Sequence, residues 1–475
     1  MILRKLTAIM LLVASCGVSA SVKINEIMPC NVSAYMDGNT FDFPSWLEFY
    51  NDGDPVDLKG ATVTAYKASG KVDWTGTFNE SHKIPAGYSV LAFYGDVETK
   101  PTSSTFLGSF PKNLEYKEGK IEFVFADGTV VSLSHPLQLP NVSYGDGGYM
   151  EPTPGKKNSK AFDTRVPTPK FVTNPGFYIG AEAKEISLSC DNKDAIIYYT
   201  TDGSTPTEES HLYEGPFEIH TNHPIRAKAY VAGQLASDVL TGTFIMTSPY
   251  SEHCSGDDLP VVSISTDDEY LNGDKIGICV IGNNGVPGAS DCVIGKANYN
   301  RDWNRPAYFE YFENGVLKCS QKIEIGVTGG CSRQNSYETK SLKMKASKKT
   351  GNNRLGYTKF FKEKSFSELK SVQIRNGGNG YGTLRCRDGF MQSIAKGMGI
   401  DYQGYQPVAY YLNGKYQGLM GLRERTNADY VFHNYGLEED EIDEVSIKTD
   451  KISAETGTLD AYNEMLSYVE NHYED

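Results

Sequence analysis

The run Ile323–Ala346, IEIGVTGGCSRQNSYETKSLKMKA, concentrates residues suited to holding a phosphate. Gly326, Gly329 and Gly330 let backbone N–H groups come close to an anion, and Arg333 and Lys340, Lys343 and Lys345 bring full positive charge. Strand alternation puts Lys340 on one face and Lys343 and Lys345 on the other, so the three do not share one role. A second run, Tyr405–Arg425, reads YQPVAYYLNGKYQGLMGLRER. Its Asn413-Gly414 pair marks a hairpin turn, and the second strand delivers Glu424 between Arg423 and Arg425. A glycine turn, a strand lysine and an acid are the parts of a nucleotide-phosphate clamp. On this reading Lys340 and Glu424 lie on neighbouring strands and face one cleft beside residues 326–333.

These runs need a β framework. LPVVSIST, from Leu259, reads as a buried strand, and RPAYFEYFENGVLKCSQKIEIGV as a hairpin turning at Asn314-Gly315. DGFMQSIAKGM has helical spacing, with Phe390, Met391, Ile394 and Met398 on one face and a glycine after it. Arg387 and Asp388 open that helix, where Asp388 has the look of a cap. LDAYNEMLSYVENHYED is a second amphipathic helix, with Tyr462, Met465, Leu466 and Val469 on its stripe.

The same residues resemble the CotH family of atypical kinases. The resemblance rests on LPVVSI at Leu259, TGGCSR at Thr328, KSLK at Lys340, IRNGGN at Ile374, CRDGF at Cys386 and YLNGKYQGLMGLRER at Tyr411, in family order. It implies an α+β, atypical protein-kinase-like domain over 257–475, with the small lobe and the start of the large lobe. It also implies ATP with Mg or Mn, and phosphate transfer to Ser/Thr or another acceptor on extracellular or envelope proteins. Lys340 fills the family's phosphate-contacting lysine, with Lys343 and Lys345 as alternatives. Gly329, Gly330 and Arg333 fall in its glycine-rich signature, and Arg387 and Asp388 match its Arg-Asp pair. Glu424 matches an acid that either pairs with Lys340 or helps to hold a metal. The family's Asp/Asn loop and later metal-binding Asp are expected beyond Asp475. The chain is then either a fragment or a form without catalytic competence. The competing class is a non-catalytic exported adhesion or scaffold protein.

Upstream, strand-like alternation at VKINEIM, SWLEFYN, ATVTAYK, YSVLAFYG and KIEFVFADGTVVSL predicts an all-β sandwich. INEIMPCN, WLEFYNDGDPVDLKG and PTPGKKN resemble the lamin-tail domain, which implies an immunoglobulin-like module over 21–160. Trp46, Leu47 and Phe49 are assigned to its core, and Glu26 and Glu48 to solvent or a turn cap rather than to a metal. The proline-rich RVPTPK at 165–170 opens a second sandwich over 166–247. IIYYTTDGSTPT and PIRAKAYVAG there resemble the C-terminal module of chitobiases and hexosaminidases, an accessory module. Adjacent strand residues point to opposite faces, so one of Tyr198 and Tyr199 is core; the other is the candidate contact for a cell-surface polysaccharide. Polar stretches near 159–168 and 246–258 read as linkers. The expected fold class is therefore multidomain, two all-β immunoglobulin-like sandwiches followed by the kinase-like domain.

Composition sets the limits. The 46 basic residues against 60 acidic ones leave a formal charge of −14, which argues against a nucleic-acid partner, since that would need a basic face. MILRKLTAIMLLVASCGVSA has the basic start, apolar core and small-residue end of a signal peptide, residues 1–20, cleaved after Ala20. A lipoprotein anchor through Cys16 is the lesser alternative, and a secreted or envelope location follows from either. No other apolar run approaches the ~20 residues that cross a bilayer. After cleavage eight of the nine cysteines remain, and Cys279 and Cys292 bracket a loop as the expected local disulfide. The eight histidines show no metal-ligand spacing.

Overall fold

A computed structural model describes residues 22–472, apart from 96–98, 104, 247–258, 284, 286–296, 335 and 449–450. The expected signal peptide, most of the expected second linker and Cys292 therefore lie outside the described residues.

The first module stacks two sheets. One has six strands, built on Val22–Met28, Ser45–Asn51 and Gly87–Phe93, and the other has four, built on Thr62–Lys67 and Gly119–Val124. Ile24, Leu47 and Phe49 from the first face Val63, Ile121 and Phe123 from the second in one core. Trp46, one residue out of phase, packs on the opposite face with Met28 and Val90. Glu26 and Glu48 are not solvated: both are buried and opposite each other in register. Glu26 accepts from the N–H and Oγ1 of Thr153, and Glu48 from the Gly155 N–H and Asn25 Nδ2. They are caps on the 153–155 turn. Burial pushes the Glu48 carboxyl up to about 7.

The second module has a five-stranded sheet carrying Ile196–Thr200, His223–Tyr230 and Leu240–Ile245. Tyr199 stacks on Phe217, with ring centroids 4.2 Å apart, and packs against the core. Tyr198, on the other face, meets Tyr230 edge-on. The stretch expected as a first linker is docked, since Val166 is buried and its N–H donates to the Leu235 carbonyl at 2.9 Å.

The C-terminal part is built on a closed seven-stranded barrel. Its strands are β1 (Val261–Ser265), β2 (Arg305–Glu313), β3 (Val316–Val327), β4 (Leu342–Lys345), β5 (Ser371–Arg375), β6 (Tyr405–Leu412) and β7 (Lys415–Glu424). The order round the barrel is β1-β2-β3-β4-β5-β7-β6, and a parallel pairing of β6 with β1 shuts it. The hairpins β2–β3 and β6–β7 turn where Asn314 and Asn413 take positive φ (52° and 48°), each followed by a positive-φ glycine. This is the left-handed pair that a two-residue Asn-Gly loop supplies. Ile264, Phe309, Ile325, Met344, Ile374, Val408 and Leu422 fill the barrel. Helices α1 (Asp268–Asn272), α2 (Arg387–Ala395), α3 (Ala428–Tyr435) and α4 (Asp460–Asn471) surround it or follow it.

The modules are joined by buried polar contacts as well as by chain connection. Arg305, fully buried on β2, donates to the Phe41 carbonyl of the first module at 2.8 Å and lies against the Trp303 ring. Trp303 Nε1 donates to the Thr40 carbonyl at 2.8 Å. Glu310, also on β2, accepts from the N–H and Oγ1 of Thr243 in the second module, at 3.2 and 2.5 Å.

Candidate functional site

The glycine turn follows the end of β3. Gly329 has φ +104°, a conformation that favours glycine. Gly326 has no room for a side chain, because an added Cβ would lie 2.7 Å from the Trp303 carbonyl oxygen. After the turn, Arg333 folds back so that its Nε donates to the Gly329 carbonyl. The chain then loops to Lys340, two residues before β4. Lys340 keeps the alternation of Leu342 and Met344 and is buried, whereas Lys343 is only partly covered and Lys345 is exposed. The Lys340 ammonium donates to the carbonyls of Gln334 and Tyr337, at 2.5 and 2.6 Å, and no carboxylate pairs with it among the described residues. Burial holds Lys340 and Arg333 below their usual basic ranges. Both approach Tyr299, Lys340 over the ring at 5.9 Å and Arg333 Nη1 at the carbonyl. The glycine turn, Arg333 and Lys340 are therefore brought together around one tyrosine. Lys343 instead meets Asp302 at 2.5 Å.

Lys340 lines a cavity of about 720 Å³ at one end of the barrel. Thr339, Glu338, Tyr410 and Asn413 line it from the barrel side, Asp268 and Asn272 from α1, and Asp202 and His223 from the second module. Gly329, Gly330 and Arg333 stand behind Lys340 and do not line it. A volume of several hundred Å³ is that of a small-molecule site. The Tyr410 hydroxyl is buried there without a hydrogen-bond partner among the described residues. Cys279 also lines the cavity as a free thiol, so the expected Cys279–Cys292 disulfide is not formed. Cys331, in the glycine turn, is disulfide-bonded.

Glu424 is not part of this group. Strand β5 separates β4 from β7, and the register sets Glu424 opposite Val372, itself opposite Met344. Lys340 is four residues from Met344, roughly 13 Å along the strand. The expected Lys340–Glu424 pair is therefore replaced by another, Lys364–Glu424 at 2.7 Å, with side chains 8% and 3% exposed. Glu424 also accepts from Asn434 Nδ2 and the Gly404 N–H, and Lys364 donates to Asn434 and the Tyr402 carbonyl. Every polar group of this pair has a partner within the fold. Lys364 was missed because its loop shows no strand or helix period. The neighbouring Phe360, Phe361 and Phe366, all core, are the signal that this loop enters the interior.

Asp388 lies in the first turn of α2, after the N-cap Cys386, and does not cap the helix. It pairs with Arg423 at 2.6 Å and Arg375 at 3.4 Å, fixing α2 to β5 and β7. Phe390, Met391 and Ile394 on α2, and Met398 three residues beyond its end, are exposed. Gly389 on the opposite side makes the packing contact instead: a Cβ there would lie 2.4 Å from the Tyr405 ring.

Phosphate chemistry fits Lys340, a buried cation with no paired carboxylate at the edge of a cavity. Metal chemistry has no comparable support, since no three His, Cys, Asp or Glu side chains come together as a ligand set among the described residues.

Residues 325–474 match the family described as CotH kinase protein, and residues 173–241 match the chitobiase/beta-hexosaminidase C-terminal domain. None of the curated proteins gives a significant match. Among solved structures, the Clostridium thermocellum CbhA fibronectin(III)-like modules are 13% identical, over 48% of this chain and 94% of theirs, with a TM-score of 0.16. The chicken CNTN1 FN1-FN3 domains are 10% identical, over 64% of this chain and 96% of theirs, with a TM-score of 0.14.

Proposed function

We propose, for a chain that carries a CotH kinase domain behind a chitobiase-type module, that the cavity beside Lys340 takes the phosphates of a nucleotide such as ATP. The observation that carries this reading is the buried Lys340 ammonium, unpaired with any described carboxylate, at the edge of a cavity of about 720 Å³. Arg333 and the glycine turn would support Lys340 from behind. ATP would supply a transferable phosphoryl group, and Ser/Thr or another acceptor on extracellular or envelope proteins would receive it. Export rests on the signal-peptide pattern of residues 1–20 and is supported by the disulfide at Cys331, a bond favoured in oxidising compartments.

A second reading, a scaffold that binds without catalysis, is favoured by one feature. The acid expected to serve the clamp, Glu424, is satisfied within the fold by Lys364, Asn434 and the Gly404 N–H. ATP titration by calorimetry of the 21–475 chain, beside Lys340→Met and Lys340→Arg, tests nucleotide binding. The expected result is binding that weakens about tenfold or more in Lys340→Met, the loss of a charge-assisted contact, with partial retention in Lys340→Arg. Equal affinity in all three proteins would remove the site from Lys340. Absence of binding in the parent chain would leave the scaffold reading.

A further inference from the structure

Where the three modules meet, a second cavity of about 140 Å³ is lined from all of them. Val32 and Asn141 come from the first module, Thr241 from the second and Tyr308 from the barrel. Its charged lining is uneven. Four cations, Arg165, Arg226, Lys228 and Lys322, surround it against three carboxylates, Glu151, Asp238 and Asp267.

The carboxylates are largely spoken for. Asp238 pairs with Lys322 and accepts from the Val239 N–H. Asp267 accepts from the N–H and Oγ1 of Thr205 and meets Arg226 only at 3.5 Å. Glu151 is exposed.

The cations are not matched in the same way. Arg226 has a side chain 13% exposed, gives one nitrogen to the Gly203 carbonyl, and leaves its Nε buried without a partner. Arg165 spends its Nε on the Ala236 carbonyl and forms no ion pair among the described residues. Lys228 forms no ion pair or hydrogen bond there and lies only against the Tyr230 ring at 5.1 Å. Burial, with a smaller push from neighbouring Arg165, holds the Lys228 ammonium below its usual range, although Glu151, Asp238 and Glu208 act the other way from a distance. Like charges gathered out of bulk water repel one another at low dielectric and call for an anion between them.

We propose that this cavity is an oxyanion site of the phosphate or sulfate class, whose occupant is held by Arg226 and Lys228 of the second module and by Arg165 at its edge. Its size admits such a group with a few waters, at about 30 Å³ per water, and is too small for a nucleotide. Guanidinium groups fork onto two oxygens of the anion, and the ammonium adds a point charge. The occupant binds the folded cavity and not the unfolded chain, so its binding opposes unfolding.

Thermal unfolding of the 21–475 chain in millimolar inorganic phosphate or sulfate, with chloride holding ionic strength constant, tests the site. A saturable rise in unfolding temperature is expected. Lys228→Met should weaken the apparent phosphate affinity about tenfold or more. The same variant should be about as stable as the parent in chloride, because it deletes a cation that forms no ion pair or hydrogen bond among the described residues. If Lys228→Met does not fold, Arg165→Gln replaces it with the same expected loss. Lys340→Met should keep the full response, which separates this site from the nucleotide cavity. An equal response in the parent and Lys228→Met would be a bulk salt effect and would overturn the proposal. No response in the parent, or one abolished only by Lys340→Met, would also overturn it. Glucose 6-phosphate serves as the second arm: a response equal to that of free phosphate supports a sugar-borne group, and a response to the free ion alone supports the ion.

Discussion

Lys364 and Glu424 show what a buried charge pair does when every donor and acceptor has a partner. Neither can be removed singly without leaving the other uncompensated in the interior, which costs about 3–5 kcal/mol. Lys364→Met is expected to lower stability by that order, and the double variant Lys364→Met/Glu424→Gln to recover much of it. Urea unfolding of Lys364→Met, Glu424→Gln and the double variant reads the coupling. Additive losses would mean that the pair acts as two independent surface charges. The ion pair was not legible in the sequence, because the partner of Glu424 comes from a loop 60 residues away. What the sequence does carry is local. Glycine at 329 and lysine at 340 are set by backbone conformation and strand phase, and both fall where the spacing puts them.

At the scale of elements, the two Asn-Gly hairpins were readable for the same reason: four adjacent residues determine each turn. Helix α2 is the counterexample. Its 3.6-residue period reports that one face is apolar, but periodicity says nothing about what lies opposite that face. The described fold holds α2 by Gly389 against Tyr405 and by Asp388 against two arginines, and leaves Phe390 60% exposed. Gly389→Ala should therefore destabilise by about 1–3 kcal/mol, the cost of an overpacked contact. Phe390→Ser should change stability by no more than about 0.5 kcal/mol. Denaturant midpoints decide the comparison, and the reverse ranking would place the apolar face inside the fold. Closure of the barrel was equally illegible, since the parallel pairing of β1 with β6 joins strands far apart in the chain, with no local signal to fix the register.

For the molecule as a whole, the joint between the second module and the barrel is set to respond to pH. Glu310 lies buried with Thr243 as its donor, and burial pushes its carboxyl up to about 7. A carboxyl raised on folding binds its proton more tightly in the folded state. Its contribution is present in full below the usual carboxylate range and is lost as pH rises through about 7. The shift corresponds to roughly 3 kcal/mol. Unfolding temperature should fall between pH 5 and pH 8, and Glu310→Gln should flatten part of that slope. Glu48 adds a change of the same sign inside the first module, so Glu48→Gln should remove a separate share. An unchanged profile in Glu310→Gln would show that the carboxylate is already ionised in the folded protein.

The closed barrel has a consequence for recognition. An open sheet ends in a strand whose N–H and C=O groups point outward, and another chain can hydrogen-bond along it, in specific complexes or in aggregates. Here each of the seven strands has a neighbour on both sides. A peptide that approaches the barrel finds no strand to extend, so it must be read by side chains and loops.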